Sequence, residues 1–290
     1  SPRDKARTTA QLLEMRGHLF LIDCGEGTQM ALRQSSAKFA RIKHIFISHL
    51  HGDHCFGLFG MLSTFGMTGR TAPLQVYAPK EFEEYFNLSM ELFCKGLGYT
   101  VTFHPIETTK TAVIYEDKSL TVETIPLEHR IPCCGFLFRE KPTARHIRRD
   151  MIDYYNIPIS QISNIKAGAD WTTADGETIP NSRLTTPADK PRSYAYCSDT
   201  RYMKHLYEKV SGVDVLYHES TYASEHSDRA RRYYHSTAKE AATVARDAAA
   251  GKLLLGHYSA RYPNEDTILS EAKAIFPNSF LTNEGMVFDV

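Results

Sequence analysis

Short apolar runs rich in β-branched and aromatic residues recur along the chain, each closed by glycine, proline or charge. This is the signature of strands buried on one or both faces. "HLFLID" (His18 to Asp23), "KHIFIS" (Lys43 to Ser48), "LQVYA", "TVTFHPI" and "CGFLFRE" read as strands, and "AVIYED" with "SLTVETIPL" as a hairpin-like pair. Between them, "GEGTQMALRQS" turns into a helix with Glu26 near its start, "FGLFGMLSTFGM" reads as an apolar helix, and a further helix runs from Lys80 to about Lys95. From Ser193 the alternation resumes. "YAYCSD" and "VDVLYHES" enclose "TRYMKHLYEKV". A helix from Thr237 to about Ala250 leads into "KLLLGHYS", and a helix over Asp266 to Phe276 precedes the closing strands "SFLTN" and "MVFDV". The pattern predicts an α/β fold of two mixed sheets with helices outside.

The pattern breaks once. Lys141 to Arg192 opens basic and helix-like, then becomes turn-rich with few apolar repeats. It reads as an inserted arm, residues 141–192, in a catalytic domain formed by 1–140 and 193–290.

The densest chemistry lies in "ISHLHGDHCFG", where His49, His51, Asp53 and His54 follow a buried strand directly. In extended chain, positions two apart point the same way, so His49 and His51 can reach one cation. Gly52 allows a turn after which Asp53 and His54 can face a second. Imidazole and carboxylate are the donors of a hydrolytic zinc site. Four residues do not close two sites, and three further candidates stand at strand ends: His129 after "TIPLE", Asp199 after "YAYCS" and His257 after "LLLG". A shared Asp199 could bridge two ions.

With His129, Asp199 and His257 in this order, "SHLHGDH" resembles the metallo-β-lactamase fold superfamily. "DCGEGTQ", "HGDHCFGLFGMLST", "LEHRIPCCGF", "CSDTRY", "HESTYA", "YYHSTAKEAA" and "GHYSARY" are similar to the ribonuclease Z family in its short form, over nearly the whole chain. The resemblance implies an αββα metallo-β-lactamase sandwich with a protruding tRNA-binding arm at 141–192. It implies a zinc-dependent endoribonuclease that removes the 3′ trailer from precursor tRNA, leaving a tRNA 3′-hydroxyl and a trailer 5′-phosphate. It also implies two zinc ions per chain: His49, His51 and His129 hold one, Asp53, His54 and His257 the other, and Asp199 bridges. Asp53 takes the proton of the bridging water, while Glu219 of "HEST" and His235 of "HST" form a pair that protonates the leaving 3′ oxygen. Asp23 supports the metal histidines. Family members act as homodimers, one subunit's arm holding tRNA cut by the other. They open with a glycine-rich strand ahead of the region beginning here at Ser1, which makes "DKARTTAQLLEM" the second strand with its lead-in. The family's Gly-Pro-rich arm turn is replaced by "NIPISQISNIKAGADW".

Composition narrows the partners. Lys plus Arg equals Asp plus Glu at 34 each, so RNA must be met by local patches. Arg139 to Arg149 carries five basic residues against one acidic, and Arg229, Arg231 and Arg232 precede His235. Trp171 reads as the anchor of the arm's own core, and Cys55 as an apolar filler. Six cysteines with no CxxC pair and no signal peptide point to reduced thiols in a cytoplasmic protein, and no apolar run is long enough to span a membrane. Two rival readings remain: a metallo-β-lactamase-fold hydrolase of small phosphodiesters, lactones or thioesters, and a catalytically silent RNA-binding protein. The intact ligand set argues against the second.

Overall fold

The computed structural model describes residues 7–35 and 37–290. The lead-in at 4–6 therefore lies outside the described residues, and the strand expected after it is β1 (Gln11–Met15). One five-stranded sheet has the order β1, β2 (His18–Ile22), β3 (Ile42–Phe46), β4 (Leu74–Pro79), β5 (Val101–Ile106). Its β1–β2 pair is antiparallel and the rest is parallel.

The chain then forms β6 (Val113–Glu116), β7 (Leu120–Pro126) and β8 (Cys134–Glu140). The insertion carries β9 (His146–Ile147), β10 (Trp171–Thr172), β11 (Thr178–Ile179) and β12 (Thr185–Thr186). After it come β13 (Ser193–Cys197), β14 (Val215–Glu219), β15 (Lys252–Gly256) and β16 (Ser279–Leu281). The second sheet has seven strands in the order β16-β15-β14-β13-β8-β7-β6. β13 to β16 run parallel, and β8 lies antiparallel to β13.

The period of two along each strand sorts side chains into layers. Phe20, Phe46, Phe136, Phe138, Tyr196 and Tyr217 share the core between the sheets. Their neighbours Leu21, Ile45 and Ile47 turn outward under the helices Leu58–Met67 and Glu83–Phe93. On the other side, Leu137, Ala195, Leu216, Leu253 and Leu255 pack under the alanine-rich face of Ala238–Asp247. Helix, sheet, sheet, helix is the predicted αββα order.

The division of the chain is into two compact units, one made of the described residues to Arg139 with Ser193–Val290, the other of Glu140–Arg192. The second unit has its own core of Ile157, Ile165, Ile179 and Leu184, with Trp171 packed against it. Its root is closed by Arg192, whose Nε and Nη2 donate to Glu140 Oε1 at 3.0 and 2.6 Å.

Two expectations change, and one element comes without any. "MVFDV" forms no strand: Gly285, at φ +81°, turns the chain away, and Phe288 and Val290 pack on the inter-sheet core without ladder pairing. "TRYMKHLYEKV" keeps one helical turn, Leu206–Lys209, because the Arg201 N–H is held by the Glu128 carbonyl at 3.0 Å. "SDRARRY", not anticipated, forms the helix Ser227–Tyr233. Among the described residues no helix is long and apolar enough to cross a membrane.

Candidate metal and catalytic centre

Every candidate side chain leaves the same end of the two sheets. His49 and His51 continue β3 as extended chain, and Asp53 and His54 sit on the single helical turn Gly52–Cys55. That turn rests on the segment after β2. Cys24 N–H donates to the His54 carbonyl at 2.8 Å, and Gly57 N–H to the Cys24 carbonyl at 2.8 Å. A Cβ on Gly57 would collide with the Gly25 carbonyl, and one on Gly25 with that of Asp53; only glycine permits this approach. Cys55 is buried and its thiol contacts the His51 carbonyl, so it is not among the converging donors. Asp23, Tyr234 and His257 all adopt left-handed φ of 58°, strain concentrated where side chains are aimed.

Two groups of donors form. His49, His51, His129 and Asp199 lie within mutual reach of one cation, as do Asp53, His54 and His257. Asp199 stands between the groups: Oδ2 lies 3.8 Å from His49 Nε2, 3.9 Å from His129 Nε2 and 3.4 Å from His257 Nε2, and Oδ1 lies 3.6 Å from His54 Nε2. Asp199, His235 and His257 make a third such group, so His235 borders the centre.

Outer contacts set which nitrogen faces inward. His54 Nδ1 donates to Asp23 Oδ2 at 2.8 Å and His129 Nδ1 to the Tyr234 carbonyl at 2.9 Å. His49 Nδ1 meets Ser48 Oγ at 3.0 Å, and His257 Nδ1 meets Thr221 Oγ1 at 2.9 Å. All four therefore present Nε2. His51 alone presents Nδ1, which lies 3.2 Å from His49 Nε2 and 3.1 Å from His129 Nε2. Asp23 accepts from Ser48 N, Ser48 Oγ, His54 and Tyr196 Oη, anchoring histidines of both groups.

These donors fit a metal. Burial lowers His49, His51 and His129 below the usual histidine range, so three neutral imidazoles crowd nitrogen on nitrogen. A shared cation fits that convergence of nitrogens. His54 Nε2, His257 Nε2 and Asp199 Oδ1 are buried without a hydrogen-bond partner, a cost that coordination removes. Burial opposes charge on Asp53 and Asp199, yet the surrounding histidines hold both carboxylates well below their ordinary range. His54 goes the other way: burial lowers it, but Asp199 and Asp23 outweigh burial and raise it to about 9. A cation arriving there displaces a proton.

Glu219 ends β14, and His235 lies just before Thr237, whose capping box with Glu240 starts the helix Ala238–Asp247. His235 Nδ1 meets Glu219 Oε1 at 2.8 Å. Burial lowers His235, but Glu219 more than compensates and raises it to about 9. Glu219, fully buried, is held low by the same partner. The cleft above, about 530 Å³, is lined by both proposed centres and by Arg130, Tyr222 and Arg261. Sequence reasoning did not single out these three, nor Ser48, Thr221 and Tyr196; serine, threonine and tyrosine carry no spacing signal of their own. Arg229, Arg231 and Arg232 stand exposed on the helix Ser227–Tyr233.

A family model described as anti-Pycsar protein Apyc1 matches residues 4–147. Ribonuclease Z of Bacteroides fragilis (strain YCH46) is 52% identical over 285 residues, covering 98% of this chain and 94% of that protein. That of Phocaeicola vulgatus is 52% identical over 289 residues, covering 100% and 94%. Among solved structures, the short form of human tRNase Z superposes with a TM-score of 0.70 at 24% identity, covering 99% of this chain and 94% of that one. The metallo-β-lactamase fold protein YhfI from Bacillus subtilis gives 0.68 at 16%, covering 99% and 94%. The fold is thus the metallo-β-lactamase fold, and half-identity over almost its full length makes this chain a member of the ribonuclease Z family.

Proposed function

We propose that this chain removes the 3′ trailer from precursor tRNA as a zinc-dependent endoribonuclease, leaving a 3′-hydroxyl on the tRNA and a 5′-phosphate on the trailer. Endonucleolytic hydrolysis follows from membership of the family. The observation that carries the rest is the convergence, in one cleft, of two donor groups sharing Asp199 beside a carboxylate–histidine pair. His49, His51 and His129 would hold one zinc ion and Asp53, His54 and His257 the second, with Asp199 within reach of both groups. Zinc bound there would supply Lewis acidity that activates water and screens phosphoryl charge.

The remaining steps belong to the chain. Asp53, ionised and open to the cleft, accepts the proton of the attacking water. His235 holds its Nδ1 against Glu219 and offers Nε2–H to the leaving 3′ oxygen, which would otherwise depart as an alkoxide. Arg130 and Arg261 at the mouth meet backbone phosphate. The basic run at the start of the Glu140–Arg192 unit grips tRNA, in a cytoplasmic homodimer. Six free, buried cysteines accord with a reducing compartment.

A second reading, hydrolysis of small phosphodiesters, is favoured by the cleft: about 530 Å³ accommodates such a molecule by itself. One experiment separates the two. Labelled precursor tRNA and a small phosphodiester are given to the wild type, to His51→Ala and to a deletion of 141–192, with metal content measured on each sample. The proposal expects about two zinc ions and trailer release from the wild type, neither reaction from His51→Ala, and only the small reaction from the deletion. Wild-type protein that holds zinc, spares precursor tRNA and cuts the small diester sinks the tRNA assignment.

A further inference from the structure

Glu219 and His257 lie at the ends of adjacent strands and belong to different parts of the site: one braces the proton donor, the other faces the metal position. A single hydroxyl touches both. Thr221 Oγ1 is 2.6 Å from Glu219 Oε2, 2.9 Å from His257 Nδ1 and 3.3 Å from His235 Nδ1, and Thr221 is 6% exposed. We infer that Thr221 is a positioning residue whose one hydroxyl proton fixes His257 with the Nε2 lone pair toward the metal centre and locks that geometry to the Glu219–His235 pair. The inference rests on the metal reading above.

The argument is a count of protons. A hydroxyl donates one hydrogen bond and accepts two. The Glu219 carboxylate only accepts, so the Thr221 proton goes to Oε2, which also takes the Thr221 backbone N–H at 3.1 Å. Oγ1 has then nothing left to give to His257, and Nδ1 of His257 must carry the proton. The lone pair is thereby assigned to Nε2, the atom buried without a partner and 3.4 Å from Asp199 Oδ2. Pinning Oε2 also leaves Glu219 Oε1 free to hold His235 Nδ1 at 2.8 Å and the Thr200 N–H at 2.9 Å.

The molecule uses the same device on the other donor group. Asp23 Oδ2 accepts from Ser48 Oγ at 2.9 Å, and Ser48 Oγ accepts from His49 Nδ1 at 3.0 Å. Carboxylate, hydroxyl, imidazole is repeated with a different acid and a different alcohol. The two chains differ in reach. Asp23 touches a second imidazole directly, whereas Glu219 hands its other oxygen to the proton donor. Only the Thr221 chain therefore couples the metal position to the acid.

Full-length wild type, Thr221→Val, Thr221→Ser and Thr221→Ala test this by two readouts. Zinc affinity is measured by chelator competition. The protonated nitrogen of His257 is read in the metal-free chain at pH 8 by ¹⁵N-histidine NMR, assigned by the signal lost in His257→Gln. In Thr221→Val one of two zinc ions should bind about ten- to a hundredfold more weakly, the usual loss when an outer partner of a ligand is removed. The other ion should be unchanged, and His257 should lose its single Nδ1–H form. Thr221→Ser should restore both, and Thr221→Ala should show the same two losses even where Thr221→Val misfolds. Wild-type zinc affinity with an Nδ1–H His257 in both Thr221→Val and Thr221→Ala overturns the inference, as does a serine variant no better than valine. A wild type that binds fewer than two zinc ions refutes the metal reading instead, and the His257 signal still decides the role of Thr221.

Discussion

Histidines gather in two regions of this chain, and only one gathering has the form of a metal site. At the cleft, five imidazoles have their outer nitrogens tied to Asp23, Ser48, Tyr234 or Thr221, or turn Nδ1 inward, and bring the others together at 3.1 to 3.2 Å or leave them bare. In the first half of the chain, His18, His44 and His104 form a second series, threaded by tyrosines. His44 lies 4.5 Å from the Tyr115 ring, and His104 stacks on Tyr77 at 4.5 Å and 13°. His18 turns to Asp117 at 2.9 Å and His104 to Gln75 at 2.7 Å. No two of these nitrogens share a focus. What separates a metal centre from a cluster of aromatic filler is therefore not the number of histidines but whether their outer contacts force lone pairs onto one point.

The sharpest break is at His235, which borders the centre but is tied to Glu219. His235→Ala should cost about 10² to 10⁴ in kcat on precursor tRNA while both metals stay bound. Metal lost in parallel would place His235 among the ligands instead. Next comes Asp23→Asn. The carboxylate serves four donors, and an amide offers one of them a donor in return. Zinc affinity by chelator competition should fall about ten- to a hundredfold with the fold retained; an unchanged affinity would show that the outer contacts do not hold the imidazoles.

The smallest effect belongs to the second series. Burial, helped by His18, Lys43 and His104, lowers His44 to about 4, and its Nδ1 is buried without a partner. The folded state thus resists a proton that the unfolded chain accepts near pH 6.5, so this contribution is whole above about pH 6.5 and is lost as pH falls to about 4. His44→Phe should remove about 2 kcal/mol of the acid-side loss in denaturant melts, discounted for the ring's partial exposure. Neither zinc content nor cleavage should change; a loss of zinc would make the second series part of the metal centre.

Much of this was legible in the linear order of residues. Runs such as "HLFLI" and "KLLLG" are apolar on both faces, which only a strand between two layers requires. The candidate ligands His49, His51, Asp53 and His54 are four of six consecutive residues, so local chain geometry alone carries their signal. "MVFDV" departs from the strand its alternation predicts because its apolar residues pack through side chains without pairing, and alternation does not report which of the two occurs. "SDRARRY" gives no helical signal because its one buried residue within the helix is Ala230, too weak an apolar face to show a period.

The sequence by itself determined the layers, the interruption at 141–192 and the candidate donors, because burial patterns and donor chemistry are written residue by residue. Only the tertiary structure decided which nitrogen of each histidine faces the centre. It alone placed Thr221 between Glu219 and His257, and it alone left His44 without a focus. Those depend on contacts between residues as far apart as Asp23 and Tyr196, or His129 and Tyr234. A hydroxyl's single proton acquires a direction only when its acceptor has been folded beside it.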